Sequence, residues 1–289
     1  MSIPAQLLRK LAAYEVTIEE PVSGGDICEA AAVRINGERC FLKWRLNAPP
    51  GFFAWESRGL ALLRNAHEKH RTGVYVPVVR EADDDFLLLE WIEPGHKSGS
   101  AAKALGHGLA WQHRCTGESY GQEQGGFIGR LPQPKGQSDN WAKLYAEKRL
   151  GMFLHLGKQD WPSKRLHRLE TLCAQINRWL NHNPLPSLLH GDLWSGNWMS
   201  TEDETGSTPV LIDPASSYGD REQDMAMTEL FGGFPSAFYD AYNEVNPLDH
   251  AGYKERKPFY QLYYLLVHLM LFGESYGASV DRILQRYTK

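Results

Sequence analysis

Residues Leu188 to Met199, LLHGDLWSGNWM, set His190, Asp192 and Asn197 on a short stretch broken by Gly191 and Gly196. A buried strand or helix does not choose that sequence, so the segment is either a polar turn or a site. A carboxylate in such a place can accept a proton from a hydroxyl or orient it for attack. Downstream, VLIDPASSYGDREQDMAM (Val210 to Met227) reads as a short buried strand, Val210-Leu211-Ile212, that delivers Asp213 to its end. Asn197 and Asp213 both offer oxygen ligands, the kind that suits Mg²⁺. That leaves Asp192 as the base or orienting group for an attacking hydroxyl.

Such a site needs elements that hold its partners, and the N-terminal third supplies candidates. SGGDICEAAAV (Ser23 to Val33) carries the pair Gly24-Gly25 ahead of a strand, where backbone amides can approach phosphates closely. A plain turn before a strand would look the same. The hairpin AAAVRINGERCFLKWR sharpens it, with Asn36-Gly37 as a two-residue type I′ turn. That turn sets Ile35 opposite Glu38, Val33 opposite Cys40, Ala32 opposite Phe41 and Ala30 opposite Lys43. Strand alternation then gives Lys43 and Phe41 one face and Leu42 and Trp44 the other. In FFAWESRGLALLRN (Phe52 to Asn65), Phe52, Glu56, Leu60 and Leu63 share one helical face. A carboxylate in an apolar stripe is costly unless a cation pairs with it. Lys43 is the natural candidate, and the pair would hold the ammonium toward a nucleotide phosphate. At the edge of the stripe, Glu56 would instead sit in water.

The composition is that of a soluble globular protein, and 289 residues allow one large domain or two lobes. A net charge of −4 gives no basic footprint, so nucleic acid is not an expected partner. The N-terminal MSIPAQLLRKLAAYEVTIEE carries charges throughout and no signal-peptide core. The longest apolar run, Leu262 to Phe272, is too short to span a bilayer and carries His268, so a buried helix is expected and no membrane contact. Cys28, Cys40, Cys115 and Cys173 show neither C-x-x-C pairing nor metal-ligand spacing, which fits reduced thiols in a cytoplasmic protein. Pro21 to Trp91 reads as mostly strand with one inserted helix, after a short amphipathic helix at Leu7 to Tyr14. Beyond Pro94 helices are expected at Ala101 to His113, Trp141 to Leu156, Leu166 to Asn181, Asp224 to Phe231 and Pro258 to Glu274. The expected class is therefore α+β. A small antiparallel-sheet N-lobe over residues 1–92 binds nucleotide, and a larger, mainly helical C-lobe over 93–289 carries the catalytic loop and the acceptor site.

The kinase catalytic-loop pattern H-R-D-L-x-x-x-N is met as His190-Gly191-Asp192-Leu193…Asn197, with Gly in place of Arg. A glycine loop, a strand lysine, a helix glutamate, D-L-x-x-x-N and a later strand-end aspartate follow in the kinase order. More specifically, LLHGDLWSGN, DPASSYGDREQDMAM, LFGGFPSAFYDAY and YQLYYLLVHLMLFG resemble the fructosamine kinase (fructosamine-3-kinase-related, ketosamine-3-kinase) family over nearly the whole chain. That family shares its fold with the aminoglycoside phosphotransferases and, more distantly, the protein kinases. Trp194 after Asp-Leu helps separate it from aminoglycoside kinases, which usually have His there.

The resemblance implies ATP- and Mg²⁺-dependent phosphorylation of the sugar O3 of ketosamines. These are ribulosamine, erythrulosamine or fructosamine adducts, free or on glycated protein lysines. The O3 phosphate makes the adduct labile and regenerates the amine, a deglycation repair. The resemblance implies Asp192 as catalytic base, Asn197 and Asp213 as Mg²⁺ ligands, and Lys43 on the α/β-phosphates with Glu56 positioning it. It also implies that the backbone of Glu90, Trp91 and Ile92 meets the adenine edge, and that Asp220 and Asp224 brace the catalytic loop. A monomer or weak dimer is expected. Trp194 is either a wall for the sugar or its amine substituent, or a core residue packing the loop; His190 orients the loop, and Trp198 and Met199 read as core. GQEQGGFIGRLPQPKGQSDNW is expected to border the acceptor site.

One departure is that Asp26 stands where the family often has a Cys linked to an intersubunit disulfide. Cys28 lies one strand period further on, so that switch does not transfer. Two other readings compete: a kinase of the same fold acting on an aminoglycoside or choline-like amine alcohol, and a nucleotide-binding pseudokinase. Pseudokinases typically lose one member of the set Lys43, Glu56, Asp192, Asn197 and Asp213.

Overall fold

The computed structural model describes residues 3–22, 27–203 and 206–288. The loop residues Gly24, Gly25 and Asp26 lie outside the described residues, so the phosphate-cradle expectation for them has no structural counterpart here.

The N-lobe is a five-stranded sheet of β1 (Val16–Pro21), β2 (Glu29–Ile35), β3 (Glu38–Trp44), β4 (Val79–Ala82) and β5 (Phe86–Glu90), in the order β1-β2-β3-β5-β4 with every pair antiparallel. The Asn36-Gly37 turn has positive φ at both residues, 51° and 84°, as a type I′ turn requires. It gives the expected register, with Ala30 opposite Lys43 and Ala32 opposite Phe41. One sheet face, with Cys40, Leu42, Trp44 and Leu88, packs on Leu7 and Leu11 at the first helix, α1 (Ala5–Lys10). The other, with Leu87 and Leu89, packs on α2 (Phe52–His70). Because both faces are covered, β5 reads FLLLE as a nearly unbroken apolar run, without the alternation of a half-exposed strand.

In the C-lobe, α3 (Gly99–Gln112) starts at Ser98, whose hydroxyl accepts from the Ala101 amide. It lies against α8 (Ser236–Val245), close enough that a Cβ on Gly106 would sit 2.2 Å from the Phe238 carbonyl oxygen. The expected helix at Trp141 to Leu156 is one rod in three pieces, α4 (Trp141–Leu144), a π-helical stretch (Tyr145–Leu150) and α5 (Gly151–Leu156). Next come α6 (Ser163–Ala174), α7 (Glu222–Thr228), α9 (His250–Phe272) and α10 (Gly277–Tyr287). The helix expected to reach Asn181 stops at Ala174, and the one expected from Pro258 begins eight residues earlier at His250. Pro258 lies inside α9, where the buried stripe Phe259, Tyr260, Tyr263, Leu266 and Val267 holds the helix through it.

Short strands beyond the expected one at Val210 to Ile212 accompany the helices of this mainly helical lobe. The strands of the lobe are β6 (Tyr120–Gln122), β7 (Gly126–Ile128), β8 (Leu131–Gln133), β9 (Gly136–Ser138), β10 (Ser187–Leu189), β11 (Trp198–Asp203), β12 (Gly206–Leu211) and β13 (Ser217–Gly219). They form a four-stranded sheet β10-β13-β6-β9 and the two pairs β7-β8 and β11-β12. The catalytic-loop candidate runs between β10 and β11, and Asp213 follows β12. Among the described residues, no helix is long and apolar enough to cross a membrane.

Candidate active site between the lobes

Lys43 reaches the site because β3 alternation turns it away from Leu42 and Trp44 and toward α2. Its Nζ donates to both carboxylate oxygens of Glu56, at 3.1 and 3.0 Å, and to Asp213 Oδ1 at 2.9 Å. Glu56 is only 8% exposed, so it lies within the apolar stripe and not at its wet edge. Burial by itself would lower the Lys43 ammonium, but the charges of Asp213 and Glu56 outweigh that and hold it well above its ordinary value. Glu56 is raised, by burial first, with the attraction of Lys43 working against it. Asp213 is only half-buried; its burial would raise the carboxyl, yet the Lys43 charge holds it below the usual range.

The segment from His190 to Asn197 is a tight loop fixed from several sides. Asp224, fully buried on α7, accepts from the His190 amide at 2.6 Å and the Gly191 amide at 2.8 Å, and His113 Nε2 lies 3.2 Å away. Tyr264 on α9 donates its hydroxyl to the Gly191 carbonyl at 3.0 Å. His190 Nε2 faces the Ile212 carbonyl at 3.0 Å and so carries the proton, while Nδ1 accepts from the Asp192 amide at 3.3 Å. Burial lowers the His190 pKa, which keeps the ring neutral and makes it a strut of the loop. Gly191 has φ of 85°, and a Cβ there would fall 2.1 Å from the Ala215 carbonyl oxygen, so only glycine fits. A Cβ on Gly196 would meet the Trp194 ring at 2.3 Å.

Asn197 Nδ2 donates to Asp192 twice, to its carbonyl at 2.8 Å and to Oδ2 at 3.2 Å. With its amide hydrogens committed to Asp192, the side-chain oxygen of Asn197 remains as an acceptor. The Asn197 carbonyl in turn accepts from the Ile212 amide at 3.1 Å, which ties β12 and Asp213 to the loop. Asp213 has φ of 52°, a left-handed conformation that aspartate tolerates better than most residues and that is common at functional sites. Asp192 is half-buried on the same cleft, and burial together with the charge of Asp213 pushes its pKa up to about 7.

Lys43, Glu56, Asp192, Asn197 and Asp213 thus line one cleft of about 450 Å³ between the lobes. Phe127, Ile128 and Gly129, from the GQEQGGFIGRLPQPKGQSDNW segment, close one side of it. They are held against α2 by a bond from Trp55 Nε1 to the Phe127 carbonyl at 3.2 Å. Trp194 also lines the cleft, 37% exposed, so it is not a core residue, whereas Trp198 is buried at 3%. Glu90, Trp91 and Ile92 do not line this cleft. Glu90 sits opposite Cys40, three positions from Lys43 and about 10 Å along β3. The Arg39 guanidinium lies over the Trp91 ring at 4.1 Å.

The donor set around Asn197 and Asp213 fits a hard divalent cation: amide and carboxylate oxygens, with no imidazole on the cleft near them. Cys28 also lines the cleft, and burial pushes its thiol up to about 11, so it stays protonated in the metal-free site. The grouping His182, Asp220 and Glu222 has metal-like spacing, but its two carboxylates are already engaged. Asp220 accepts from His182 Nε2 at 2.7 Å, from the Glu222 amide at 3.0 Å and from the Tyr260 hydroxyl, while Glu222 takes two bonds from Arg256, both 2.7 Å. Of the two aspartates expected to brace the catalytic loop, Asp224 touches it. Asp220 instead ties the start of α7 to α9 and His182.

Asp192 in the expected role of base would give the pH profile an acidic limb. A base works only when ionised, so protonation below its pKa removes activity. In the nucleotide-free enzyme, kcat/KM is expected to fall about tenfold per unit below a pH near 7, not near 4 where an ordinary aspartate titrates. A kcat/KM profile flat down to pH 5 would contradict this.

A model of the fructosamine kinase family matches residues 2–289. The chain is 40% identical over 292 residues to a Lactiplantibacillus plantarum protein named probable ketoamine kinase, covering 99% of this chain and 100% of that one. It is 33% identical to the chloroplastic protein-ribulosamine 3-kinase of Arabidopsis thaliana, over 96% of this chain and 84% of the relative. The crystal structure of a Thermobifida fusca protein assigned as a fructosamine-3-kinase superposes with a TM-score of 0.83 at 31% identity, covering 97% of this chain and 96% of that one. An aminoglycoside phosphotransferase superposes with a TM-score of 0.59 at 14% identity over 97% of this chain and 96% of its own, a likeness of fold alone. With the family model spanning almost every residue and relatives matching end to end, the chain belongs to the fructosamine kinase family.

Proposed function

We propose that this protein is an ATP-dependent ketosamine kinase that transfers the γ-phosphoryl group to the sugar O3 of ribulosamine, erythrulosamine or fructosamine adducts. The observation that carries this reading is the meeting of Asp192, with its pKa near 7, and the Lys43–Glu56–Asp213 network in one cleft, in a chain of this family. The names of the relatives in Lactiplantibacillus plantarum and Arabidopsis thaliana support the substrate class.

In this reading Asp192 accepts the O3–H hydrogen bond, aligns the oxygen in line with the γ-phosphorus and takes the proton. Asn197 keeps the Asp192 carboxylate in one rotamer by its bond to Oδ2. Lys43, released from Asp213 when phosphate arrives, holds the α/β-phosphates, with Glu56 retaining the other side of the ammonium. Asn197 Oδ1 and Asp213 would hold Mg²⁺, which would supply positive charge to offset that of the phosphates. Positioning and charge neutralisation supply most of the rate. Residues 1–92 form the nucleotide-binding lobe, with Glu90 to Ile92 at the adenine edge, and 93–289 the lobe of the catalytic loop and acceptor site. Loss of the phosphorylated sugar would regenerate an amine, which makes deglycation in the cytoplasm the expected role.

The test is ADP formation with ribulose-, erythrulose- and fructose-lysine beside choline and an aminoglycoside. We expect turnover with at least one ketosamine, at least about a hundredfold above the other amine alcohols in kcat/KM, a discrimination a site built for polar groups can reach. Turnover confined to choline or the aminoglycoside would overturn the substrate class. ATP binding with no transfer to any acceptor would point to a pseudokinase.

A further inference from the structure

Past Asp192 the cleft is walled by the end of α9 and the segments beside it. Phe231, His268, Phe272 and Tyr276 face it there, with Trp194 on the catalytic-loop side. His268 is the hub of this wall: its ring centroid lies 4.4 Å from Phe231, 5.4 Å from Phe272 and 5.2 Å from Tyr276. Phe272 and Trp194 are 45% and 37% exposed, large apolar side chains left open to solvent.

The tautomer of His268 follows from its one bond. Nδ1 lies 2.8 Å from the Tyr264 carbonyl oxygen, which can only accept, so Nδ1 carries the hydrogen. In the neutral ring Nε2 then offers a lone pair, and it has no partner among the described residues. Burial lowers the pKa of this ring, in keeping with the neutral form. The charged side chains among the described residues lining the cleft are Lys43, Glu56, Asp192 and Asp213, all toward the catalytic centre. The far wall therefore offers π faces and one lone pair but no carboxylate.

That combination suits a single cation carried on a carbon chain. Aromatic faces attract cations through the ring quadrupole, and a lone pair accepts an N⁺–H hydrogen bond. A ketosamine bears a secondary ammonium on C1, four bonds from O3 along N–C1–C2–C3–O3, which spans at most about 5 Å at ordinary bond lengths. An O3 held at Asp192 therefore places the ammonium within about 5 Å of it, inside the cleft that His268 and the aromatic rings also line. We infer that His268 Nε2 and the rings of Phe231, Phe272 and Tyr276 form the subsite that holds the ketosamine's secondary ammonium and so select an amine-bearing ketose. This rests on the ketosamine-kinase reading above and extends it to the part of the substrate that does not react.

The experiment compares two acceptors with the same sugar hydroxyls, 1-deoxy-1-(butylamino)ribulose and 1-O-butylribulose. For the wild-type enzyme kcat/KM should favour the amine by about tenfold to a hundredfold, the range one charged hydrogen bond with cation–π support provides. His268→Phe should remove at least about tenfold of that preference with KM for ATP unchanged, and His268→Gln, which keeps an acceptor, should retain more of it. Phe272→Leu, at an exposed position, should reduce the preference by about threefold. An undiminished preference in His268→Phe and Phe272→Leu overturns the inference. So does an equal loss on both acceptors, which would assign Nε2 to a sugar hydroxyl. Failure of the wild type to phosphorylate either ketose would instead count against the functional reading itself.

Discussion

Asp192→Ala is expected to lower turnover on any ketosamine by about a thousandfold or more while leaving the fold and nucleotide binding in place. The carboxylate contributes in two ways. In the proposed mechanism it removes the proton that must leave O3, and it fixes the direction of the O3 lone pair toward phosphorus. General-base catalysis alone is worth about a hundredfold to ten-thousandfold, and positioning adds to it. The fold should tolerate the change because Asp192 is only half-buried and its side chain receives one bond, the weak 3.2 Å donation from Asn197. Loss of a carboxylate that sits raised by burial and by the nearby Asp213 also relieves a like-charge repulsion. Turnover measured by coupled ADP release, beside ATP affinity by calorimetry, checks both halves. Near-wild-type kcat would remove Asp192 from the base role.

Asp224→Ala is the second large effect, and it acts on stability first. This carboxylate is fully buried and accepts from the His190 and Gly191 amides, with His113 as its third neighbour. Truncation strands two buried amide donors. Each orphaned donor costs about 1–3 kcal/mol, so a loss of about 3–5 kcal/mol is expected. Asp224→Asn keeps an acceptor oxygen for one amide and should lose about half as much. The loop that loses its anchor carries Asp192, so kcat should fall with stability even though Asp224 lies behind the loop. Urea unfolding of both variants, with kcat measured well below the transition, separates the two effects. A stability loss under about 1 kcal/mol would show that Asp224 is not the brace the geometry indicates.

How legible the molecule was depended on whether a local rule decided the outcome. The Asn36-Gly37 turn admits essentially one register, so the placement of Lys43 opposite Ala30 followed from sequence alone. Glu56 was legible as a carboxylate in an apolar stripe, and burial at 8% confirms the position while Lys43 supplies the partner. Gly191 and Gly196 announced a loop, and the close approach to Ala215 and the Trp194 ring gives each a reason. What escaped was decided by distant contacts. The three-residue strands β6, β9, β10 and β13 are too short to show a period, and their pairings join segments far apart in the chain. The α9 start at His250 crosses a proline that reads as a boundary, and only the buried aromatic stripe overrides it. His268 was visible only as a polar residue in an apolar run. Its place on the cleft depends on α9, α7 and α10 meeting, which no local pattern encodes. The direct bond from Lys43 to Asp213 likewise joins residues 170 positions apart.

In the proposed reaction the hydroxyl activated at Asp192 belongs to C3 of a ketosamine sugar. Two-dimensional ³¹P–¹H correlation NMR of the product from ribulose-lysine, ATP and Mg²⁺ tests it most directly. The predicted spectrum couples the new phosphorus to the proton on C3 and to no other sugar proton. Coupling to a terminal CH₂, or no phosphorus signal beyond those of the nucleotides, would contradict it.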